Sequence, residues 1–222
     1  MFAELGHVLR HAPATLALKR KLPQDELYAE LIGRADAAGL AERRQALVEG
    51  LHGHVVEIGC GTGAMFPYYA GVEKVTGIEP DTAFADHARQ AAKTAQVPIE
   101  VIEASGEHVP LPDASIDAVV LALVLCSVPS VEAVCTEIAR ILKSGGEVRL
   151  IEHVRSPKKI AGALMHVVNP LWLALNGQGC RLDRDPIPTL KKVGLQIDHV
   201  ESFQIWSAGL PAFPMRAIFA HR

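Results

Sequence analysis

The stretch Glu57-Ile58-Gly59-Cys60-Gly61-Thr62-Gly63-Ala64 decides the fold. It follows the short apolar run His54 to Ile58, which predicts a buried strand, and its glycines predict a tight turn that leads into a short helix ending near Ala70. Glycines at such a junction let the backbone approach a ligand closely, and a helix N-terminus offers free N–H groups. The alternative is a glycine turn that only connects two elements.

Strands and helices alternate on the carboxyl side of this turn. Four further parallel strands are predicted at 74–78, 99–103, 118–125 and 147–152, and helices at 82–94 and 130–142. The third of these strands is apolar on both faces, as a central parallel strand requires. The pattern predicts an α/β fold with a doubly wound, mostly parallel sheet, whose ligand lies beyond the carboxyl ends of the strands.

The 222 residues and the 49% apolar content predict a single domain, residues 1–222. Residues 1–50 precede the sheet and are predicted to form a helical cover, and residues 157–182 a lid-like insertion. Asp185-Pro186 is expected to open a short helix that Gly194 closes. Two final strands are predicted at 195–201 and 213–220.

Composition excludes several classes of protein. The formal charge of −3 leaves no basic surplus for nucleic acid. Four cysteines without a Cys-x-x-Cys pair indicate neither a metal site nor a disulfide framework, so we expect reduced thiols and a cytoplasmic location. The basic residues of Met1 to Leu22 do not fit a signal peptide. Asn169-Pro170 interrupts an uncharged run at 160–180, so no transmembrane span is expected, although peripheral membrane contact remains open.

The glycines alone fit two cofactors, because Gly59-x-Gly61-x-x-Ala64 also satisfies the dinucleotide pattern. Glu57 would repel a pyrophosphate, but it suits a ligand with an ammonium and a sulfonium group, as in S-adenosylmethionine. Glu79 is spaced to bind the ribose hydroxyls of either cofactor, unless it is only a solvated acid at a strand end. No Tyr-x-x-x-Lys pair supports a nicotinamide-dependent oxidoreductase.

Several motifs carry a family resemblance. The first four, in chain order, are Glu57-Ile-Gly-Cys-Gly-Thr-Gly63, Gly77-Ile-Glu-Pro80, Leu111-Pro-Asp-Ala-Ser-Ile-Asp117 and Leu142-Lys-Ser-Gly-Gly146. Their order and spacing resemble class I S-adenosylmethionine-dependent methyltransferases. Four later motifs resemble the thiol methyltransferases called methyltransferase-like seven: Leu123-Val-Leu-Cys-Ser-Val128, Glu152-His-Val154, Asn169-Pro-Leu-Trp172 and Gly179-Cys-Arg-Leu182.

The resemblance implies a binding role for each matched position. It places the turn glycines against the methionine part of the cofactor, Glu57 near its amino group and Glu79 on the ribose. Cys60 and Pro80 belong to the same two motifs. The remaining matched positions are Gly59, Gly61 and Gly63 in the turn, Ser105 and Gly106 by adenine, and Ala122 and Leu123 by the sulfonium. The family often has Asp in place of Ser105. Membrane-bound relatives begin with an apolar anchor that this chain lacks, so we expect a soluble relative.

The acceptor is predicted to be a small, rather apolar molecule, with a thiol favoured because it is partly ionised near neutral pH. His153 follows the fifth strand and is the candidate catalytic residue, unless it is a strand-end histidine bonded to backbone. His166 is a weaker candidate. The apolar segment 160–175 is a packing helix, a lid or a membrane-docking surface. Methyl transfer to a phenol, a quinol or a lipid amine would fit the same motifs, as would a non-catalytic partner subunit that binds the cofactor.

Overall fold

The computed structural model describes residues 21–176, 179–205 and 214–222. Its centre is a seven-stranded sheet in the order β3-β2-β1-β4-β5-β7-β6, in which β1 to β5 pair in parallel and β7 pairs antiparallel with both β5 and β6. The strands are β1 (His54–Ile58), β2 (Lys74–Ile78), β3 (Ile99–Ile102), β4 (Ile116–Ala122), β5 (Leu142–His153), β6 (Gln196–Gln204) and β7 (Pro214–His221). The predicted doubly wound, mostly parallel α/β fold is confirmed.

Helices lie on both faces of the sheet. They are α1 (Gln24–Ala35), α2 (Ala41–Val48), α3 (Thr82–Ala92), α4 (Val131–Ile141), α5 (Lys159–Asn176) and α6 (Ile187–Lys192). The side chain of Asp81 accepts the first free N–H groups of α3, and that of Ser130 accepts one from α4. Asp and Ser are favoured at the position before a helix because their side chains can accept these free N–H groups. Within the described ranges, every helix is too short or too polar to span a bilayer.

Some predicted boundaries are wrong. The turn after β1 continues as turns and a single 3-10 helix (Phe66–Tyr68), so no helix extends to residue 70. Strand β5 begins at Leu142 rather than at Glu147, because Leu142 already pairs with Ile116 of β4. Strand β4 ends at Ala122 rather than Leu125, because Leu123 adopts a left-handed φ of 66°. The start of the predicted cover (1–20), two lid residues (177–178) and Phe213 lie outside the described residues.

The core has two layers because β4 is buried on both faces. On one face Val119 and Leu121 pack with Ile138 of α4. On the other face Val120 packs with Phe66 in the layer that also contains α2. The continuous apolar run of the central strand therefore fills two cores, and its carboxyl end is held rigidly at the edge where the ligand was predicted to bind.

Ile138→Ala should lower the free energy of unfolding by about 2–5 kcal/mol, because the side chain is 0% exposed and the replacement leaves a cavity. Ile160→Ala is the matched control at a position that is 87% exposed, and its effect should stay within about 0.5 kcal/mol. Urea denaturation measures both values. Equal effects would contradict this packing.

Candidate functional site

A cavity of about 320 Å³ opens beyond the carboxyl ends of β1, β2 and β4. Among the residues singled out from the sequence, those on its wall are Gly59, Gly61, Glu79, Pro80, Ser105, Gly106 and Leu123. The others are not on the wall: Glu57, Cys60, Gly63, Ala122 and His153. Seven of the predicted binding positions thus converge on one cavity from several separate loops, and the binding roles of all of them remain predictions.

The glycine turn brings two loops into close contact. Gly59 has a φ of 67°, and a Cβ atom there would lie 2.7 Å from Cγ2 of Val124, which follows β4. The N–H groups of Gly59 and Cys60 both donate to the carbonyl of Ile78. A larger residue at position 59 would therefore clash with the loop after β4 as well as strain the backbone.

The carboxylate of Glu79 bridges the turn and the start of α3. One of its oxygens accepts the N–H of Gly61 at 2.9 Å, and the other accepts the N–H of Asp81 at 3.1 Å. Burial raises the pKa of Glu79. Each carboxylate oxygen can accept a second hydrogen bond, so Glu79 retains capacity toward the cavity that it lines.

Glu57, just before the turn, does not reach the cavity wall. It is buried, and one of its oxygens accepts the hydroxyl of Tyr69 at 3.0 Å. Burial raises the pKa of Glu57 to about 8. Without a bound cation the carboxyl is therefore mostly protonated at pH 7, so it repels a diphosphate less than a fully charged carboxylate would. An ammonium group next to it would favour the ionised form.

Helix α1 contributes two cavity residues that the sequence patterns did not indicate. Gln24 and Tyr28 are four residues apart on one helix face, and both line the cavity. The Tyr28 ring packs edge-on against Phe84 at 5.3 Å and lies over Gly61. The spacing of Gln24 and Tyr28 is typical of one helix face. The sequence does not indicate which part of the sheet that helix face contacts.

Glu152, at the end of β5, also had no role predicted from the sequence. Its side chain is 0% exposed, and it accepts the N–H groups of Val124 and Leu125 at 2.9 and 2.8 Å and that of Cys126 at 3.2 Å. Burial raises its pKa to about 7, although these backbone donors oppose the shift. The carboxylate therefore holds the loop that forms one side of the cavity. The sequence signal that could have identified Glu152 is an acidic residue at the end of a strand that was predicted to lie beside β4.

A cluster of sulfur and ring side chains lies behind that loop. Nδ1 of His153 is 3.5 Å from Sγ of Cys180, and the Cys180 thiol is hydrogen-bonded to Cys126 and Trp172. Sγ of Cys126 lies 3.4 Å from the hydroxyl of Ser127, which lines the cavity. The cluster thus adjoins the cavity without being open to it, and a catalytic role for His153 remains a prediction.

His166 lies apart from this cluster. Its side chain is exposed on α5, and its Nδ1 is 2.8 Å from a carboxylate oxygen of Asp183. The structure thus gives it a hydrogen bond to Asp183 at the surface in place of a position facing the cavity. Nε2 of His54 is 2.8 Å from the Thr76 hydroxyl, and no group of metal-ligating side chains is found among the described residues.

A second, larger cavity of about 1320 Å³ forms a groove between α5 and the β6–β7 pair. Its apolar walls include Leu164, Met165, Trp172, Phe203 and Met215. Leu164 is 58% exposed, and its apolar neighbours on α5 are also open to solvent, so α5 is not a buried packing helix. Trp172 belongs both to the groove and to the sulfur cluster, and Ser127 lines the first cavity next to Cys126, so the cluster lies between the two cavities.

Replacing Glu57 with Gln should stabilise the protein increasingly as pH rises. A carboxyl whose pKa is raised on folding stabilises the fold below its ordinary pKa, 4.5, and this contribution is lost as pH rises through its folded value of about 8. Glutamine stays neutral and still accepts the Tyr69 hydroxyl. Between about pH 5 and 8.5 the unfolding free energy of Glu57→Gln should gain on the order of 4 kcal/mol over wild type in urea titrations. If the unfolding free energies of Glu57→Gln and wild type changed with pH in parallel, the raised pKa of Glu57 would be contradicted.

Comparison with known proteins gives matches to methyltransferases. A family model described as "Methyltransferase domain" matches residues 56–150. The chain is 38% identical to rat thiol S-methyltransferase TMT1B, covering 62% of this chain and 58% of the relative. It is 32% identical to human thiol S-methyltransferase TMT1A, covering 71% of this chain and 67% of the relative. The chain thus spans less than two thirds of the first of these relatives.

Solved structures share the fold. An S-adenosylmethionine-dependent methyltransferase from Mesorhizobium loti superposes with a TM-score of 0.66 at 18% identity, covering 85% of this chain and all of that one (100%). A geranyl diphosphate C-methyltransferase from Streptomyces coelicolor gives a TM-score of 0.63 at 16% identity, covering 82% and 80%. Together with the human relative, these matches show that the chain belongs to the family of S-adenosylmethionine-dependent methyltransferases that includes the thiol S-methyltransferases.

Proposed function

We propose that this protein transfers a methyl group from S-adenosylmethionine to a small, rather apolar thiol. The observation that carries the proposal is the position of Glu79, a buried carboxylate that faces a cavity built by a glycine turn. We further propose a cytoplasmic location, with which the free thiols of all four cysteines are compatible.

The residues on the cavity wall fit the cofactor. The spare acceptor capacity of Glu79 suits two ribose hydroxyls. Gly106 forms a flat part of the wall beside Ile58, because a Cβ atom at position 106 would come within 2.5 Å of the Ile58 side chain. The adenine ring is proposed to lie along this part of the wall. Tyr28 adds an aromatic edge from α1. When bound, the cofactor supplies a methyl group activated by its sulfonium.

The chain's own residues then have to orient the acceptor and receive a proton. A thiol has an ordinary pKa of about 8.5 and needs little base catalysis, so holding it in line with the methyl accounts for much of the rate. His153 is proposed to accept the thiol proton or to orient the thiol. The apolar groove beside Trp172 is proposed to bind the body of the acceptor. This groove and the cofactor cavity lie on opposite sides of the sulfur cluster.

A lipid amine is the second candidate acceptor. A phosphatidylethanolamine N-methyltransferase from Cereibacter sphaeroides is 32% identical over 52% of this chain and 58% of its own length. The exposed apolar side chains of α5 could contact the acyl chains of such a lipid. A protonated amine must first lose a proton, however, so it depends more on a base than a thiol does.

Glu79→Ala should weaken S-adenosylhomocysteine binding at least about tenfold in isothermal titration calorimetry, because the charge-assisted bonds to ribose are lost. Glu79→Gln, which keeps one acceptor oxygen, should show a smaller loss and guards against a folding defect. Glu103→Ala is the matched control. It removes an exposed acid just after β3 that bonds Arg89 instead, and should change the affinity less than about twofold. Undiminished binding by a folded Glu79→Ala protein would contradict the assignment.

An acceptor panel tests the thiol assignment. With S-adenosylmethionine present, alkyl and aryl thiols should be methylated, and matched phenols, quinols and phosphatidylethanolamine vesicles should not, as read by mass spectrometry. Turnover of the lipid amine or the phenols alone would replace the proposed acceptor. Cofactor binding without turnover of any acceptor would favour a non-catalytic partner subunit, and binding of NAD in its place would favour an oxidoreductase.

Two variants of α5 locate the acceptor. Leu164→Asp places a charge in the groove and should raise KM for an apolar thiol about tenfold or more, with an unchanged affinity for S-adenosylhomocysteine. Val167→Asp is the control, because this side chain is 74% exposed and is not part of the groove wall. Identical KM values for the two variants would show that the acceptor binds elsewhere.

A further inference from the structure

Two cysteines that are distant in sequence are held in contact. Cys126 lies in the loop after β4, Cys180 follows α5, and their thiols are hydrogen-bonded to each other. The backbone keeps the two segments together, since the N–H of Arg181 donates to the carbonyl of Cys126 at 2.8 Å. The guanidinium of Arg184 donates to the carbonyls of Leu125 and Val128. The contact is therefore built into the fold.

The two thiols have unequal chemistry. The hydrogen bond from Cys126 lowers the pKa of Cys180, with His153 assisting, and burial opposes the shift. The same hydrogen bond, together with burial, raises the pKa of Cys126 well above its ordinary value. Cys180 is also partly exposed, whereas Cys126 is buried. A reachable thiolate beside a buried thiol is the arrangement of an attacking and a resolving cysteine.

We propose that Cys126 and Cys180 form a redox modification site, which hydrogen peroxide converts to an intramolecular disulfide and which small thiols reduce again. Neither cysteine is needed to bind the cofactor, since neither lines that cavity. The modification does not depend on the proposed function, although the reducing agent belongs to the same chemical class as the proposed acceptor.

The chemistry balances in two steps. The Cys180 thiolate attacks a peroxide oxygen, so that an S–O bond forms while the O–O bond breaks, and the departing hydroxide is protonated to water. Cys126 then attacks the Cys180 sulfur. The S–S bond forms, the S–O bond breaks, and the second hydroxide leaves with the proton of Cys126 as water. Two thiols have lost two electrons, and one peroxide has become two waters.

The disulfide would covalently join the loop after β4, beside the cofactor cavity, to the segment after α5, beside the groove. Cys126 belongs to the loop that Glu152 holds, and its neighbour Ser127 lines the cofactor cavity. Cys180 contacts His153 and Trp172, and Trp172 lines the groove proposed for the acceptor. Oxidation therefore consumes the thiolate beside His153 and fixes the wall between the cavities. Thiol exchange at the disulfide restores both free thiols and oxidises two small thiols to their own disulfide.

The test is peroxide treatment of the folded full-length protein, followed by alkylation, digestion and mass spectrometry. We expect a mass loss of about 2 Da and a linked peptide pair joining Cys126 to Cys180, both reversed by a small alkanethiol. The link should be absent from Cys180→Ser and Cys126→Ser. It should persist in Cys135→Ser, which removes a buried cysteine of α4 that packs in the apolar core.

A second measurement does not depend on the folding of the variants. In native wild-type protein, a limiting amount of iodoacetamide should label Cys180 at least about tenfold faster than Cys135 and should block disulfide formation. The proposal is overturned if folded wild type forms no link, if oxidation stops at a sulfinic acid on Cys180, or if another cysteine pair is linked. These outcomes leave cofactor binding and methyl transfer untouched, so they are distinct from failure of the proposed function.

Discussion

The site depends on two buried carboxylates that act across neighbouring strands. Glu79, just after β2, accepts an N–H from the turn that follows β1, and Glu152, at the end of β5, accepts three from the loop that follows β4. Strands β1 and β4 are adjacent at the centre of the sheet, where the strand order reverses. Each outer strand thus fixes the loop of its inner neighbour, and the cavity lies between the two fixed loops.

Carboxylates are ordinarily solvated by water, but the carboxylates at this site are buried. Burial raises the pKa of Glu57, Glu79 and Glu152, so ionising them costs free energy that backbone and hydroxyl donors only partly offset. A cationic or hydroxyl-rich ligand would supply the missing interactions. The fold therefore carries electrostatic strain at the same edge of the sheet where the cofactor is proposed to bind, as is common at functional sites.

Local signals in the sequence were sufficient for the architecture and for much of the cavity wall. The glycine turn, the Asp81 and Ser130 caps and the apolar run of β4 are all short-range patterns with one physical interpretation each. The roles of Glu152 and Tyr28 could not be predicted in this way, because their partners lie 26 or more residues away in the chain and are determined by packing. Glu57 was identified, but its charge state depends on burial, which the sequence does not specify.

Helix α5 has a proline within it, and this has a mechanical consequence. Pro170 has no N–H to donate to the carbonyl of His166, so the helix is weakened at that point. Just before it, the buried side chain of Asn169 accepts the N–H of Leu182 and fastens the carboxyl-terminal half to the protein body. The amino-terminal half, with Leu164, joins this fastened half through the weakened turn. Leu164 and Trp172 line the groove on either side of that turn, so the bend of the helix at Pro170 sets the width of the groove.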